Sequence, residues 1–123
     1  MENWKELNET IQRLDNLNVI KYDDIAGPGF GRHNYKIERG DTGETLLEIH
    51  FQCGARYEDD SIPGVLDADL LEIVRHRIQC FQKGQFATRE NACALTHLEE
   101  ALMWLNKRKE DRKARGVLGK HEK

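Results

Sequence analysis

The chain has 123 residues, the length of one compact domain, and carries a net charge of −3 with 33% charged residues. It contains no run of about 18 apolar residues, and its N-terminus lacks the basic-then-apolar order of a signal peptide. The 3 cysteines, without a CxxC pair, suggest neither a disulfide framework nor a ribbon-type zinc site. These features predict one domain, residues 1–123, in the cytoplasm with no membrane contact.

Basic charge is concentrated at the C-terminus. From residue 104 onward there are 8 Lys or Arg and 3 acidic residues, so this segment carries +5 and the remainder −8. The global charge argues against binding along a DNA backbone, whereas a local basic cluster suits a small anionic ligand.

Residues 1–17 carry apolar side chains three or four positions apart, which predicts a short amphipathic helix. The members of this stripe are Trp4, Leu7, Ile11, Leu14 and Leu17. Residues 27–31 hold three glycines and a proline, which predicts a loop or hinge.

Residues 18–65 predict a small antiparallel β-sheet. Apolar and polar residues alternate over 33–38 and 44–51, on either side of the turn-forming residues 40–43, and this pattern predicts a β-hairpin. Residues 53–65 are mostly turn formers and have room for one more short strand.

Residues 66–119 predict two helices that fold back on each other. We expect the first to begin with Asp67 as its N-cap and to end at Gly84, and the second to begin near Thr88. The short connection between them favours an antiparallel helical hairpin. The predicted fold class is therefore α+β, with a small antiparallel sheet followed by a C-terminal helical hairpin.

Two further faces of the second helix are informative. The second helix carries a leucine stripe at spacings of three and four, Leu95, Leu98, Leu102 and Leu105. Trp104 lies opposite this stripe, so its ring either covers the sheet of the same subunit or contacts a second subunit. Arg108, Arg112 and Arg115 lie within about 60° of one another and form a predicted arginine ridge. Such a ridge is either a solvated, salt-bridged face or a surface for ligand phosphates.

An aromatic residue and an amide flank the turn between the helices. Asn91 lies on the core-facing stripe in the first turn of the second helix, where free N–H groups attract anions, and Phe81 offers a stacking plane. This pairing suggests a nucleotide pocket. The alternative is that Asn91 only caps the helix and Phe81 only belongs to the core.

Catalytic and metal sites are poorly supported by the sequence. His76-x3-Cys80 and Cys93-x3-His97 would face apart across the hairpin, so we expect no zinc site. Neither GxGxxG nor GxxxxGK[ST] occurs. We therefore expect a protein that is not an enzyme and needs no cofactor. One alternative is an enzyme that cleaves the signal with His97 or Glu99 as general base. The other is a protein-interaction domain that uses the arginine ridge.

Several long segments resemble known phage proteins. Residues 69–78, 81–86, 90–91, 98–105 and 111–119 resemble the helical hairpin shared by the phage anti-defence proteins against Thoeris and CBASS. Residues 36–39 and 48–54 resemble the β portion of the first Thoeris anti-defence family. The resemblance covers residues 34–119.

The resemblance implies a sponge that binds the cyclic ADP-ribose isomers made by TIR-domain enzymes, gcADPR among them, without cleaving them. Some members also bind cyclic trinucleotides at a second site and form dimers, or hexamers built from dimers. Phe81 and Asn91 match the residues that line the cyclic ADP-ribose pocket. Arg56, Arg108 and Arg112 match arginines that contact phosphates at the second site. Arg115 belongs to an Arg-Gly-Val motif whose role is less defined. This chain has Leu118 where a Glu commonly follows that motif, and Ala55-Arg56 where Pro-Ile is usual.

Overall fold

The computed structural model describes residues 3–12, 17–27, 30–54 and 59–116. The chain forms two compact units, Met1–Val65 and Leu66–Lys123. The described parts of the first unit form an antiparallel sheet and those of the second form two helices, so the predicted α+β class is confirmed. That the two units make one domain stays a prediction. Neither helix of the described residues is long and apolar enough to cross a membrane.

The sheet consists of β1 (Trp4–Glu6), β2 (Asn18–Asp23), β3 (Asn34–Arg39) and β4 (Thr45–His50), paired in chain order. The predicted hairpin is confirmed as the β3–β4 pair. Arg39 N–H donates to the Glu44 carbonyl (2.8 Å), and Gly43 N–H donates to the Arg39 carbonyl (2.9 Å). Gly43 has a φ of 75°, the left-handed conformation that glycine adopts without strain.

The predicted N-terminal helix is wrong where the structure describes it. Trp4–Glu6 is strand β1, and residues 7–12 have no regular structure. The strand pairs with β2, and the Trp4 ring lies 4.6 Å from Lys36 Nζ. A short isolated helix pays a high nucleation cost, whereas a strand at the edge of an existing sheet gains ladder hydrogen bonds and this ring contact. Leu14, a further member of the predicted stripe, lies outside the described residues.

The two faces of the sheet differ in chemistry. On one face Tyr35 packs against Tyr22 (6.5 Å between ring centroids) and edge-on against Phe51 (5.6 Å). On the other, Lys21 and Lys36 approach the Glu38 carboxylate at 2.8 and 3.3 Å. Hydrogen bonding from Lys21 is the main reason that the pKa of Glu38 lies below its usual value.

The segment after β4 contributes single bridges instead of the short strand for which the sequence left room. Phe51 pairs with Val65 and Cys53 with Ile62. Gly64 passes so close to β4 that a Cβ atom there would lie 2.5 Å from the His50 carbonyl oxygen. Only glycine allows this approach of two backbones.

The helical hairpin consists of α1 (Asp67–Gln82) and α2 (Arg89–Ala114). Thr88 is the N-cap of α2, which confirms the predicted start. For α1 the predicted bounds are wrong at both ends. The N-cap is Leu66, whose N–H donates to the Asp69 carboxylate (2.8 Å), and the helix ends two residues before Gly84. At mid-length, Arg75 Nε and Nη2 donate to Glu99 Oε2 (3.0 and 2.9 Å) and so link the two helices.

The Gly64→Ala substitution should destabilise the protein by about 1–3 kcal/mol, because the new methyl group meets backbone that cannot rotate away. Gly84→Ala is the matched control. Its Cβ would meet nothing nearer than the Phe81 carbonyl oxygen at 3.9 Å, so we expect less than about 1 kcal/mol of change. Urea denaturation monitored by circular dichroism measures both, and equal midpoints for the two variants would contradict the close approach.

Candidate functional site

A double hydrogen bond holds the two helices together at the loop end of the hairpin. The Gln82 carboxamide donates from Nε2 to the Thr88 carbonyl and accepts the Thr88 N–H at Oε1, both at 2.9 Å. This clamp, Gln82 with Thr88, joins the last residue of α1 to the N-cap of α2. It therefore fixes the side chains of both adjoining helix turns relative to each other.

Asn91 lies in the first turn of α2 and is half-buried. Its backbone N–H donates to Thr88 Oγ1 (3.0 Å), so Thr88 caps the helix and the alternative of Asn91 as the cap is wrong. No hydrogen bond to the Asn91 carboxamide forms among the described residues. Its donor and acceptor are therefore available to a ligand.

Phe81 immediately precedes the clamp. Its side chain is 37% exposed, so the alternative that it belongs only to the core does not hold. The Arg77 guanidinium carbon lies 5.0 Å from the centroid of the Phe81 ring. The structure thus places Phe81 and Asn91 at the same end of the hairpin, each within one turn of the clamp.

The arginines predicted to form one ridge lie in different environments. Arg112 is only 7% exposed, and because it follows Leu105 by seven residues, two helical turns, it lies on the same face of α2 as the leucine stripe. Arg108 is exposed, and Arg115 Nε contacts Asp111 Oδ2 at 3.1 Å. Arg112 therefore departs from the predicted ridge, while Arg108 and Arg115 remain exposed. Arg56 lies outside the described residues.

Within one chain, the two predicted sites lie far apart along α2. Arg108 follows Asn91 by 17 residues, which corresponds to about 25 Å along the helix axis. One small ligand cannot contact both residues of the same chain.

Trp104 lies on the exposed side of α2, with 70% of its surface accessible. Lys107 Nζ lies 5.9 Å from its ring centroid. An exposed indole is costly in water, so a contact with a second subunit stays a prediction for this residue.

The residues considered for catalysis or metal binding either contact other side chains or lie apart from one another. Arg75 holds Glu99, and His97 is exposed 3.7 Å from Glu100. Cys80 Sγ lies 3.7 Å from His76 Nε2. In the described parts of the chain, no group of three or more His, Cys, Asp and Glu side chains is placed to hold a metal ion.

A charged network next to the sheet was not predicted from the sequence. The Asp24 carboxylate contacts Lys5 Nζ at 2.9 Å and Arg32 Nε at 3.0 Å. Hydrogen bonding from Lys5 is the main cause that lowers the pKa of Asp24. Arg32 also donates to the Phe30 carbonyl (2.7 Å) and lies over its ring. Only the pairing of β1 with β2 brings Lys5 to Asp24, and nothing in the local pattern signals it. By contrast, the spacing of Arg77 four residues before Phe81 is a local signal for their contact.

Comparison with known proteins identifies the hairpin. The family profile described as "Acb2/Tad1, hairpin domain" matches residues 44–110, more than half of the chain. The chain is also 46% identical over 95 residues to a protein of Bacillus phage SBSphiJ7 called "Thoeris anti-defense 1". This alignment covers 77% of the chain and 66% of the relative, so the chain spans a little less than two thirds of the relative's length. The matched segment contains the clamp, Phe81, Asn91 and Arg108, and the chain belongs to the Acb2/Tad1 hairpin-domain family.

Proposed function

We propose that this protein is a phage anti-defence sponge that acts in the host cytoplasm. It binds cyclic ADP-ribose isomers such as gcADPR, made by the TIR-domain enzymes of Thoeris, and keeps them intact but unavailable to the defence effector. The observation that carries the proposal is the family match across a hairpin whose loop end presents an exposed phenyl ring and an unengaged carboxamide.

The chemistry of the loop end suits a nucleotide. The Phe81 ring provides a flat apolar surface for an adenine, and the Asn91 carboxamide can both donate to and accept from a base or sugar. The N–H groups in the first turn of α2 favour negative charge nearby. Because the clamp holds both turns in place before the ligand arrives, little conformational entropy is lost on binding.

Sequestration works by mass action alone. A sponge lowers the free signal only if it is abundant and its Kd lies below the signalling concentration. Nanomolar binding, about −12 kcal/mol, is the relevant range. Stacking and charge-assisted hydrogen bonds in a partly closed pocket are the expected sources of this energy.

We also propose a second site for CBASS cyclic trinucleotides, and a homo-oligomer, either a dimer or a hexamer built from dimers. Exposed Arg108 is the best-placed phosphate ligand of the second site, with Arg56 and Arg112 as its predicted partners and Arg115 as a further candidate. Since Arg112 is nearly buried, its contribution requires that the ligand reach the inner side of α2. Exposed Trp104 supports the oligomer.

The test of the sponge is recovery of intact ligand. Purified protein is incubated with the product mixture of a Thoeris TIR enzyme, filtered and denatured by heat, and the released molecules are identified by mass spectrometry. We expect an intact cyclic ADP-ribose isomer. Release of linear ADP-ribose alone would identify an enzyme instead, and retention of nothing would refute nucleotide binding.

Phe81→Ala and Asn91→Ala should each weaken gcADPR binding at least about thirtyfold, because one removes the stacking surface and the other the polar contact. Isothermal titration calorimetry measures the affinity. Met103→Ala and Asn106→Ala are the controls, since they replace an exposed apolar and an exposed amide side chain of α2 three or more helical turns from Asn91. Unchanged affinity in both pocket variants would place the pocket elsewhere.

Arg108→Ala should weaken binding of a cyclic trinucleotide at least about fivefold, and leave gcADPR binding unchanged, since it removes a phosphate contact about 25 Å from Asn91. Lys109→Ala removes the same charge from the neighbouring exposed position and serves as the control. Equal losses for both ligands in Arg108→Ala would show that one site serves both.

A further inference from the structure

The two side chains proposed to line the pocket provide no positive charge for the ligand. Phe81 and Asn91 are both neutral, whereas a cyclic ADP-ribose carries a diphosphate. Phosphate groups taken out of water need cations or several N–H donors to replace their hydration. A cation is therefore expected close to the Phe81 ring.

Arg77 is the cation that the structure places there. Its guanidinium carbon lies 5.0 Å from the centroid of the Phe81 ring, and its side chain is on the exposed side of α1. Among the described residues Arg77 forms no ion pair, in contrast to Arg75 on the same helix, which contacts Glu72 and Glu99. The charge of Arg77 is thus uncompensated at the one aromatic ring proposed to stack a base.

The spacing of the two residues suits a nucleotide. Arg77 precedes Phe81 by one helical turn, about 6 Å along the axis, so both side chains project from the same face of α1 and one ligand can contact both. An exposed contact between a cation and a ring is weak, and a guanidinium exchanges it readily for the two parallel hydrogen bonds it makes to phosphate oxygens. The same movement would uncover the ring for stacking.

We infer that Arg77 binds the phosphates of the ligand stacked on Phe81, an inference that rests on the proposed function. Arg77 then determines specificity: it makes the pocket select a phosphorylated nucleoside over a free one. In the unliganded protein its guanidinium covers the ring, and on binding it turns to the diphosphate.

The test measures binding of gcADPR and of adenosine to full-length Arg77→Gln, Arg77→Lys and unmodified protein at several salt concentrations. Arg77→Gln should bind gcADPR at least about tenfold more weakly and with a shallower salt dependence, because one ion pair is lost. Its adenosine affinity should be unchanged or slightly raised, since the ring is freed. Arg77→Lys, which keeps the charge, should retain the salt dependence.

Lys107→Gln is the matched control, because Lys107 is also a cation over an exposed aromatic ring but lies at the far end of α2. We expect no change in gcADPR affinity for this variant. If Arg77→Gln has unaltered affinity and salt dependence while Phe81→Ala loses binding, the role of Arg77 is refuted and the sponge stands. Equal loss of gcADPR and adenosine binding would also refute it, because Arg77 would then only support the ring. If unmodified protein does not bind gcADPR, both the sponge and this inference fail.

Discussion

The clamp between Gln82 and Thr88 is the contact on which the candidate site depends. A loop of a few residues between two helices has many accessible conformations, and a side-chain amide that satisfies both the N–H and the C=O of one residue selects a single one. Thr88 in turn caps α2, so the same residue ends the loop and begins the helix. The positions of Phe81 and Asn91 follow from this one arrangement. The pair Arg75 with Glu99 fixes the same helices farther along.

The protein exposes much of what a globular domain normally buries. None of the described side chains is fully buried, and large apolar groups such as Ile73, Met103 and Trp104 keep more than half of their surface in contact with solvent. A hairpin of two helices buries only one stripe on each, so its remaining faces are available for recognition. This exposure agrees with the proposed action of binding a ligand, because binding needs presented surface and fixed polar groups.

Charge is organised locally in both units. The carboxylates of Asp24 and Glu38 each contact two basic side chains. These contacts link neighbouring strands and loops. In the hairpin, by contrast, Arg77 and Arg108 carry charges that no described acid neutralises. Paired charges contribute to the fold, whereas unpaired cations attract anionic ligands.

Elements whose signals are local can be predicted from the sequence alone. The alternation on either side of residues 40–43 predicted the β3–β4 hairpin, and the three-four spacing of leucines with Thr88 before them predicted α2, because periodicity and capping act within a few residues. Phe81 and Asn91 were proposed from position and from family resemblance. That Trp4–Glu6 is a strand cannot be predicted from local sequence, since it depends on pairing with β2 some 17 residues away along the chain. The burial of Arg112 beside the exposed Arg108 is likewise a tertiary property, because it depends on what packs around α2 and not on the spacing of the arginines along the helix.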